Sequence, residues 1–257
     1  MRRVQKAGHP PTSAMGWSRD REGVEATIAQ LSAEMITAIA VPELTKAEQV
    51  NIASKVYFET LLNKVAARTN LHLEQGELCA FCEGRVSNQQ PVPGRPKPSG
   101  MRIAHWIPRS EKPELTLTWS NLDGSCHTMG EKREEHHCDV FQRDESPPGS
   151  APTPAQIAYA DWLLLSSDGA LRPTPDAPTY VQQVIDLLNL NASKLKSARS
   201  STLEGFRQRF ESSRGDRPYR REHLAQELAS LDRARSGTVT YPTARRLWLV
   251  QRIAREP

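Results

Sequence analysis

Four cysteines and one histidine are the residues whose types and spacing most suggest chemistry. The cysteines lie within one 60-residue stretch, as Cys79-x-x-Cys82 followed by Cys126 and Cys138. Two thiolates separated by two residues can bind one metal ion from a tight turn, and two pairs of thiolates supply the tetrahedral shell that structural zinc accepts. The sequence therefore predicts a structural Zn²⁺ on these four cysteines, with free thiols as the alternative.

A histidine lies between the cysteine pairs. His105 belongs to Arg102-Ile-Ala-His-Trp-Ile-Pro-Arg-Ser110, and Trp119-Ser-Asn-Leu122 follows it. Imidazole has an unperturbed pKa near neutral pH, so a positioned histidine can take a proton from water. A divalent cation nearby would offset charge on a phosphodiester under attack. Taken alone, His105 is better explained as a buried structural histidine, and the order of residues around it is what favours catalysis.

Composition and charge limit the class of protein. The 257 residues are 37% apolar and 25% charged, which is compatible with a folded soluble protein. The chain contains no run of 18 apolar residues, and its first residues do not form a signal sequence, so we expect a cytoplasmic protein without a membrane segment. In a reducing compartment, clustered cysteines are more often metal ligands than disulfides.

Positive charge is concentrated in the last quarter of the chain. Residues 191–257 contain fifteen Lys or Arg against seven Asp or Glu, whereas the whole chain has a net charge of +4. Phosphate backbone is one natural partner for such a segment. Solvated helix faces explain the same charges equally well.

Apolar spacing predicts a mainly helical protein. Helices are predicted over residues 22–40, 45–72, 155–166, 177–188, 190–213, 220–235 and 242–254. A strand is predicted over 101–107, and the segments 87–100 and 144–154, rich in Pro and Gly, are predicted loops. The expected regions are an N-terminal helical region (1–75), a zinc-bound motif region (76–145) and a C-terminal helical region (155–257).

The motif region resembles the HNH nucleases, whose ββα-metal unit is two strands and a helix around one divalent ion. The resemblance rests on the order of strand, His105, proline turn, Asn121-Leu122 and Cys126. It implies that His105 is the general base, that Asn121 orients it, and that Asp139 is the metal ligand on the helix. It also implies a catalytic Mg²⁺ or Mn²⁺ held by His105 and Asp139. The expected fold class is α+β, mainly α with a small zinc-stabilised ββα-metal (HNH) unit.

The motif departs from the common HNH pattern in ways that leave an alternative open. Many HNH sites have an acidic metal ligand directly before the base, where this chain has Ala104. His127, His136 and His137 could each replace a zinc ligand, assist at the catalytic ion, or have no role. A zinc-stabilised scaffold that binds nucleic acid or a partner without cleaving is therefore the alternative to a nuclease.

The resemblance extends to a narrower family. Glu77-Leu-Cys-Ala-Phe-Cys-Glu83, the motif region and Val184-Ile-Asp-Leu-Leu-Asn-Leu-Asn191 together resemble the HNH nuclease subunit of Septu-type antiphage systems, relatives of which are encoded with retrons. This resemblance implies a role in antiviral defence and an ABC-type ATPase subunit as partner. It also implies a nucleic-acid target, for which we expect DNA, with RNA and tRNA left open.

Overall fold

The computed structural model describes residues 62–89, 99–128, 132–149, 151–154, 159–214, 221–233 and 239–255, with a few isolated positions between 45 and 59. The predicted helix over 22–40, and most of the N-terminal region, lie outside these residues. The described helices are α1 (Lys64–Glu74), α2 (Asp139–Gln142), α3 (Tyr180–Leu187), α4 (Ser193–Arg214), α5 (Arg221–Arg233) and α6 (Pro242–Ile253). The described strands are β1 (Val86–Ser87), β2 (Ser99–His105), β3 (Leu122–Cys126), β4 (Leu163–Leu165) and β5 (Leu171–Pro173).

The mixture of helices and small sheets confirms the α+β class. The four predicted C-terminal helices between 177 and 254 correspond to α3, α4, α5 and α6, with ends that differ by at most a few residues. None of the helices in the described part of the chain combines the length and apolar character that crossing a lipid bilayer requires.

The prediction of a helix over 155–166 is wrong for its described residues. Tyr159–Trp162 form a 3₁₀ turn, and β4 then pairs antiparallel with β5. The turn between these strands is closed by Ser166 N–H, which donates to Ala170 O at 2.9 Å. A short apolar run such as Leu163–Leu165 has no periodicity that separates a strand from a helix. The segment forms a strand because it pairs with β5 in a hairpin.

The predicted helix over 45–72 is interrupted. The described positions 48, 52, 55, 58 and 59 are helical, but Leu62 and Asn63 leave the helix and α1 begins at Lys64. Asn63 precedes it with an extended backbone, and its side-chain oxygen accepts a hydrogen bond from Ala66 N–H at 3.1 Å. This is an N-cap, the geometry in which asparagine starts a helix.

The centre of the motif region is the antiparallel pair β2–β3. Met101 lies opposite Cys126 and His105 lies opposite Leu122, so His105 is the last residue of its strand. The short strand β1 adds parallel to the other edge of β2. Gln75, which follows α1, donates from Nε2 to Gly124 O at 2.8 Å and accepts from Gly124 N–H at 2.6 Å. This buried amide therefore fixes α1 against the hairpin.

The motif region and the C-terminal helices share one hydrophobic core. Buried residues from both parts form a single cluster, which includes Trp106, Trp119, Val184, Leu188 and Leu247. Two hydrogen bonds reinforce the contact. The amide of Cys138 donates to Leu188 O at 2.7 Å, and Asn189 Nδ2 donates to His136 O at 2.8 Å. The C-terminal helices thus support the loop that carries the last cysteine.

A buried carboxylate joins the first cysteine turn to the start of α6. Glu83, which directly follows Cys82, accepts hydrogen bonds from Thr243 N–H at 2.9 Å and Thr243 Oγ1–H at 2.5 Å. Amide groups in the first turn of a helix lack partners within the helix, and a carboxylate there also interacts favourably with the helix dipole. Glu83 therefore caps a helix 160 residues away in sequence, although its φ of 64° is costly for a non-glycine residue.

We predict that Glu83→Ala lowers the free energy of unfolding by about 2–4 kcal/mol, because two hydrogen bonds to a buried charge are lost. Glu77→Ala is a matched control, since Glu77 also has a positive φ of 62° but a side chain 44% exposed. Glu77→Ala should lower the free energy of unfolding by less than about 1 kcal/mol. Chemical denaturation of both variants measures the difference, and equal effects would contradict the capping role of Glu83.

Candidate functional site

The four cysteines come together in the core. Their sulfur atoms all lie within 4.8 Å of one another, and all four residues are buried. Cys79 Sγ is 3.8 Å from Cys138 Sγ, and Cys82 Sγ is 3.7 Å from Cys126 Sγ. No disulfide links them. These four residues, which we call the cysteine quartet, could hold a metal ion, as the sequence predicts.

Because the quartet is buried, charged thiolates are unfavourable there unless a cation offsets their charge. Desolvation raises the pKa of the Cys138 thiol well above its ordinary value. Four thiolates in this space repel one another, and a bound cation is the usual means of offsetting such charge. Among the described residues, the quartet is the one group of three or more His, Cys, Asp or Glu side chains close enough to share an ion.

His137 lies beside the quartet. Its Nδ1 is 3.2 Å from Cys138 Sγ and 3.6 Å from Cys126 Sγ. An imidazole N–H at this position can donate to a metal-bound thiolate, which orients the sulfur and moderates its charge. This geometry favours an outer role for His137 over replacement of a cysteine ligand.

His105 is held at the end of β2 by the loop that follows it. Its Nε2 is 2.9 Å from Thr116 O, and its ring meets the Phe58 ring edge-on with 5.1 Å between centroids. A carbonyl oxygen can only accept a hydrogen bond, so the neutral imidazole carries its proton on Nε2. The lone pair is then on Nδ1, which is the atom able to accept a proton from water.

The surroundings of His105 keep its ring neutral. Burial lowers the pKa of His105 to about 4, the contact with Thr116 O opposes that change, and the positive charge of Arg109 adds to it. Arg109 itself lies over the Phe58 ring, with 5.0 Å between the guanidinium carbon and the ring centroid. The imidazole is therefore in its basic form at neutral pH.

Asn121 holds the backbone on both sides of the loop that follows β2. Its Oδ1 accepts from Ile107 N–H at 2.8 Å, and its Nδ2 donates to Ile107 O at 3.1 Å and to Leu115 O at 3.3 Å. Leu115 precedes Thr116, whose carbonyl contacts the His105 ring. Asn121 thus acts on His105 through the backbone of the loop, and its predicted role in orienting the base stays a prediction.

We predict that Asn121→Ala loosens this loop. Three hydrogen bonds of a buried amide are lost, which should lower the free energy of unfolding by about 2–3 kcal/mol and expose the Ile107 amide to exchange. Asn70→Ala is the control, because Asn70 Nδ2 donates to Ala66 O within α1, away from the loop. Native-state hydrogen exchange at Ile107 measures the effect, and unchanged protection in Asn121→Ala would contradict it.

Asp139 begins α2, directly after Cys138. Its Oδ2 is 2.5 Å from Arg102 Nε, and its amide N–H is 3.4 Å from Ser125 Oγ. His127 lies in the same surroundings, because burial first, and then the charges of Arg102 and His136, lower its pKa, while Asp139 raises it. Arg102, Asp139 and His136 therefore lie close enough to His127 for their charges to act on it.

The strand register places Arg102, which pairs with Asp139, on the face of β2 opposite His105. Side chains alternate along a strand, so Arg102 and Ala104 point to the face opposite Ile103 and His105. A divalent ion shared by His105 and Asp139 therefore stays a prediction. On the face of Ala104, the directly opposing residue is Asp123, whose side chain is fully buried.

Three residues of the site carried no recognisable signal in the sequence. Thr116 contributes a backbone carbonyl, which every residue has. Arg109 belongs to the motif around His105, but its effect on the pKa of His105 depends on how close the two side chains lie in the fold. Glu83 closes the first cysteine turn, and its partner is remote in sequence. The one sequence signal for Glu83 is that an acidic residue directly follows Cys82.

Comparison with known proteins finds a distant relative with a nuclease name. No protein-family model matches the chain. Over 148 residues it is 28% identical to a protein of Vibrio cholerae serotype O1 biovar El Tor named "Retron Vc95 putative HNH endonuclease". The matched segment is 55% of this chain and 65% of that protein, so the chain covers less than two thirds of this relative. The protein is therefore similar to a nuclease of HNH type from a retron context.

Proposed function

We propose that this protein is a metal-dependent HNH endonuclease that hydrolyses phosphodiester bonds with His105 as general base. The observation that carries the proposal is the orientation of His105. Thr116 O fixes the Nε2 proton, the ring is neutral at physiological pH, and Nδ1 is left as the basic nitrogen. The similarity to an HNH endonuclease supports the same assignment.

We assign zinc to the cysteine quartet. Zinc bound by four thiolates at about 2.3 Å places neighbouring sulfurs about 3.8 Å apart. The two short sulfur separations of the quartet are 3.7 and 3.8 Å, which fits that shell. The zinc would be structural, because four protein ligands leave no open position for substrate.

The catalytic ion in this proposal is Mg²⁺ or Mn²⁺ near Asp139 and the His105 end of the hairpin. Carboxylate oxygen suits both ions, which commonly keep several water ligands. When bound, such an ion would neutralise charge on the scissile phosphate. Asp139 is ion-paired with Arg102, so Arg102 must share or yield its contact when a cation is bound.

A second candidate function is a zinc-stabilised scaffold without catalysis. Ala104 stands where many HNH sites have an acidic ligand, and the Arg102 to Asp139 ion pair occupies a carboxylate that the ion would need. Against this alternative, the buried carboxylate of Asp123 lies directly across the hairpin from Ala104. Paired residues on one face of an antiparallel sheet are close neighbours, so a carboxylate is near the position that Ala104 leaves apolar.

The deciding experiment is a cleavage assay on supercoiled plasmid, single-stranded DNA, RNA and tRNA. The chain would be purified with and without a co-expressed ABC-type ATPase, and tested in Mg²⁺, in Mn²⁺ and in chelator. We expect cleavage that requires a divalent ion, with DNA as the preferred substrate. Nucleic-acid binding without cleavage in every metal and partner state would establish the scaffold.

The defence role and the ATPase partner belong to the same proposal and rest on the family resemblance. Cells carrying the ATPase and the wild-type chain should resist phage, while cells with either protein alone should not. Co-purification of the two proteins tests their association independently of phage resistance.

We predict an unusually low acid limit for cleavage. A general base works only when deprotonated, so the acid side of the kcat/KM profile should fall near pH 4–5 and not near the ordinary value of about 6.5. Arg109→Gln removes a positive charge that lowers the pKa of His105, so this variant should lose activity at a higher pH than the wild type. A wild-type limit near 6.5 would contradict the buried, neutral His105.

A further inference from the structure

A polar cavity lies far along the chain from the hairpin. It has a volume of about 380 Å³ and lies between α4, α6 and the turn after β4. Three arginines line it, Arg207 from α4 and both Arg252 and Arg255 from the end of α6, together with one acidic residue, Glu211. The cavity is thus positively charged and of a size typical of small-molecule sites.

The ion pair that Arg207 makes at this cavity is weak. Arg207 has one loose ion pair, 3.7 Å to Glu204, and both side chains are about half exposed. Such an exposed ion pair contributes little to stability, so Glu204 would compete only weakly with a ligand for Arg207. Arg252 lies in the last turn of α6 and Arg255 lies two residues beyond its end, near the negative end of the helix dipole. Several guanidinium groups facing one cavity are a typical arrangement for a phosphate.

The other lining groups suit a nucleotide better than a bare phosphate. Trp248 is fixed by edge-on contacts with Phe206 and Phe210, at 5.7 and 6.1 Å between ring centroids, and it forms one wall of the cavity. Aromatic walls stack on bases of any sequence. The Glu211 carboxylate can accept hydrogen bonds from sugar hydroxyls or base amino groups. The hydroxyls of Ser166 and Ser167 complete the polar lining.

We propose that this cavity binds a nucleotide, with the phosphate on Arg207 and Arg255, the base against Trp248 and a sugar or base donor on Glu211. The ligand is either a free mononucleotide or one nucleotide of a bound single strand, since both present the same chemistry. The cavity shares no lining residue with β2, β3 or the cysteine quartet. Binding here therefore does not require that the proposed nuclease is active.

The test is calorimetric titration of the full chain with AMP, with dTMP, with inorganic phosphate and with a 12-nucleotide single-stranded DNA. The variant is Arg207→Ala combined with Arg255→Ala, both at exposed or half-exposed positions where folding should be kept. Arg246→Ala is the control, because Arg246 is also on α6 but pairs with Asp161 and lies outside the cavity.

We expect the double substitution to weaken mononucleotide or oligonucleotide binding at least about 10-fold. We expect the Arg246→Ala variant to bind like the wild type. For the oligonucleotide, the slope of log K against log salt should fall by about 1, because the two arginines hold one phosphate. Equal affinity for mononucleotide and oligonucleotide identifies a free nucleotide as the source, and much tighter oligonucleotide binding identifies a strand. Binding of no nucleotide, binding unchanged by the double substitution, or phosphate binding as tight as AMP would overturn the proposal.

Discussion

Replacing His105 by alanine should reduce cleavage by about 10²–10⁴-fold while leaving metal content and stability nearly unchanged. The reason is that Nδ1 is the basic nitrogen of a ring whose Nε2 is bound to Thr116 O. In the proposed mechanism, removing the ring removes the group that accepts a proton from the attacking water.

His72→Ala is the matched control for His105→Ala. His72 is also a half-buried histidine whose Nε2 contacts a backbone carbonyl, Val86 O at 3.1 Å, and it lies in the same region of the fold. A single-turnover assay compares the two variants, while thermal unfolding and metal analysis report on their integrity. If both variants lose activity equally, or if His105→Ala loses metal or unfolds, His105 is a structural residue.

Removal of the metal should have the largest effect on stability. Wild-type protein is expected to contain about one zinc per chain, and Cys79→Ser or Cys138→Ser should lose it. Apparent zinc binding in small zinc domains contributes about 10–16 kcal/mol to folding. That exceeds or equals the whole stability of a typical domain, so the motif region should unfold without its ion.

The unfolding should spread beyond the cysteines. The cysteine quartet belongs to the core that includes residues of α3 and α6, and Glu83 joins the first cysteine turn to Thr243. Hydrogen exchange at the Thr243 amide should therefore increase on chelation. Ser125→Ala is the control, because it changes a small buried residue of β3 next to Cys126 without removing a ligand. A metal-free wild type that unfolds at the same temperature would show that the quartet is not a metal site.

Local chemistry explains why much of the site could be predicted. The Cys79-x-x-Cys82 spacing predicted a metal site, and the sulfurs of all four cysteines are adjacent. Helical periodicity predicted α3 to α6, because these segments bury one continuous apolar side. The strand around His105 was predicted two residues too far along, since Trp106 and Ile107 are apolar but lie in the loop.

Other features depend on contacts that no local pattern contains. A helix was predicted where Leu163–Leu165 pair with β5, because a run of three leucines suits either element until a partner strand is present. Strand β3 was not predicted by periodicity, since its five residues are all buried and show no alternation of apolar and polar side chains.

The sequence by itself predicted the cluster of four cysteines and the four C-terminal helices, because these depend on residue type and on spacing within a few turns of chain. Tertiary structure decided which nitrogen of His105 is basic, which carboxylate caps α6 and which residue of the hairpin pairs with Asp139. Those properties depend on where the Thr116 carbonyl, the Thr243 amide and the strand register meet in space. Backbone carbonyls and amides are common to every residue, so only the packed fold distinguishes the ones that act.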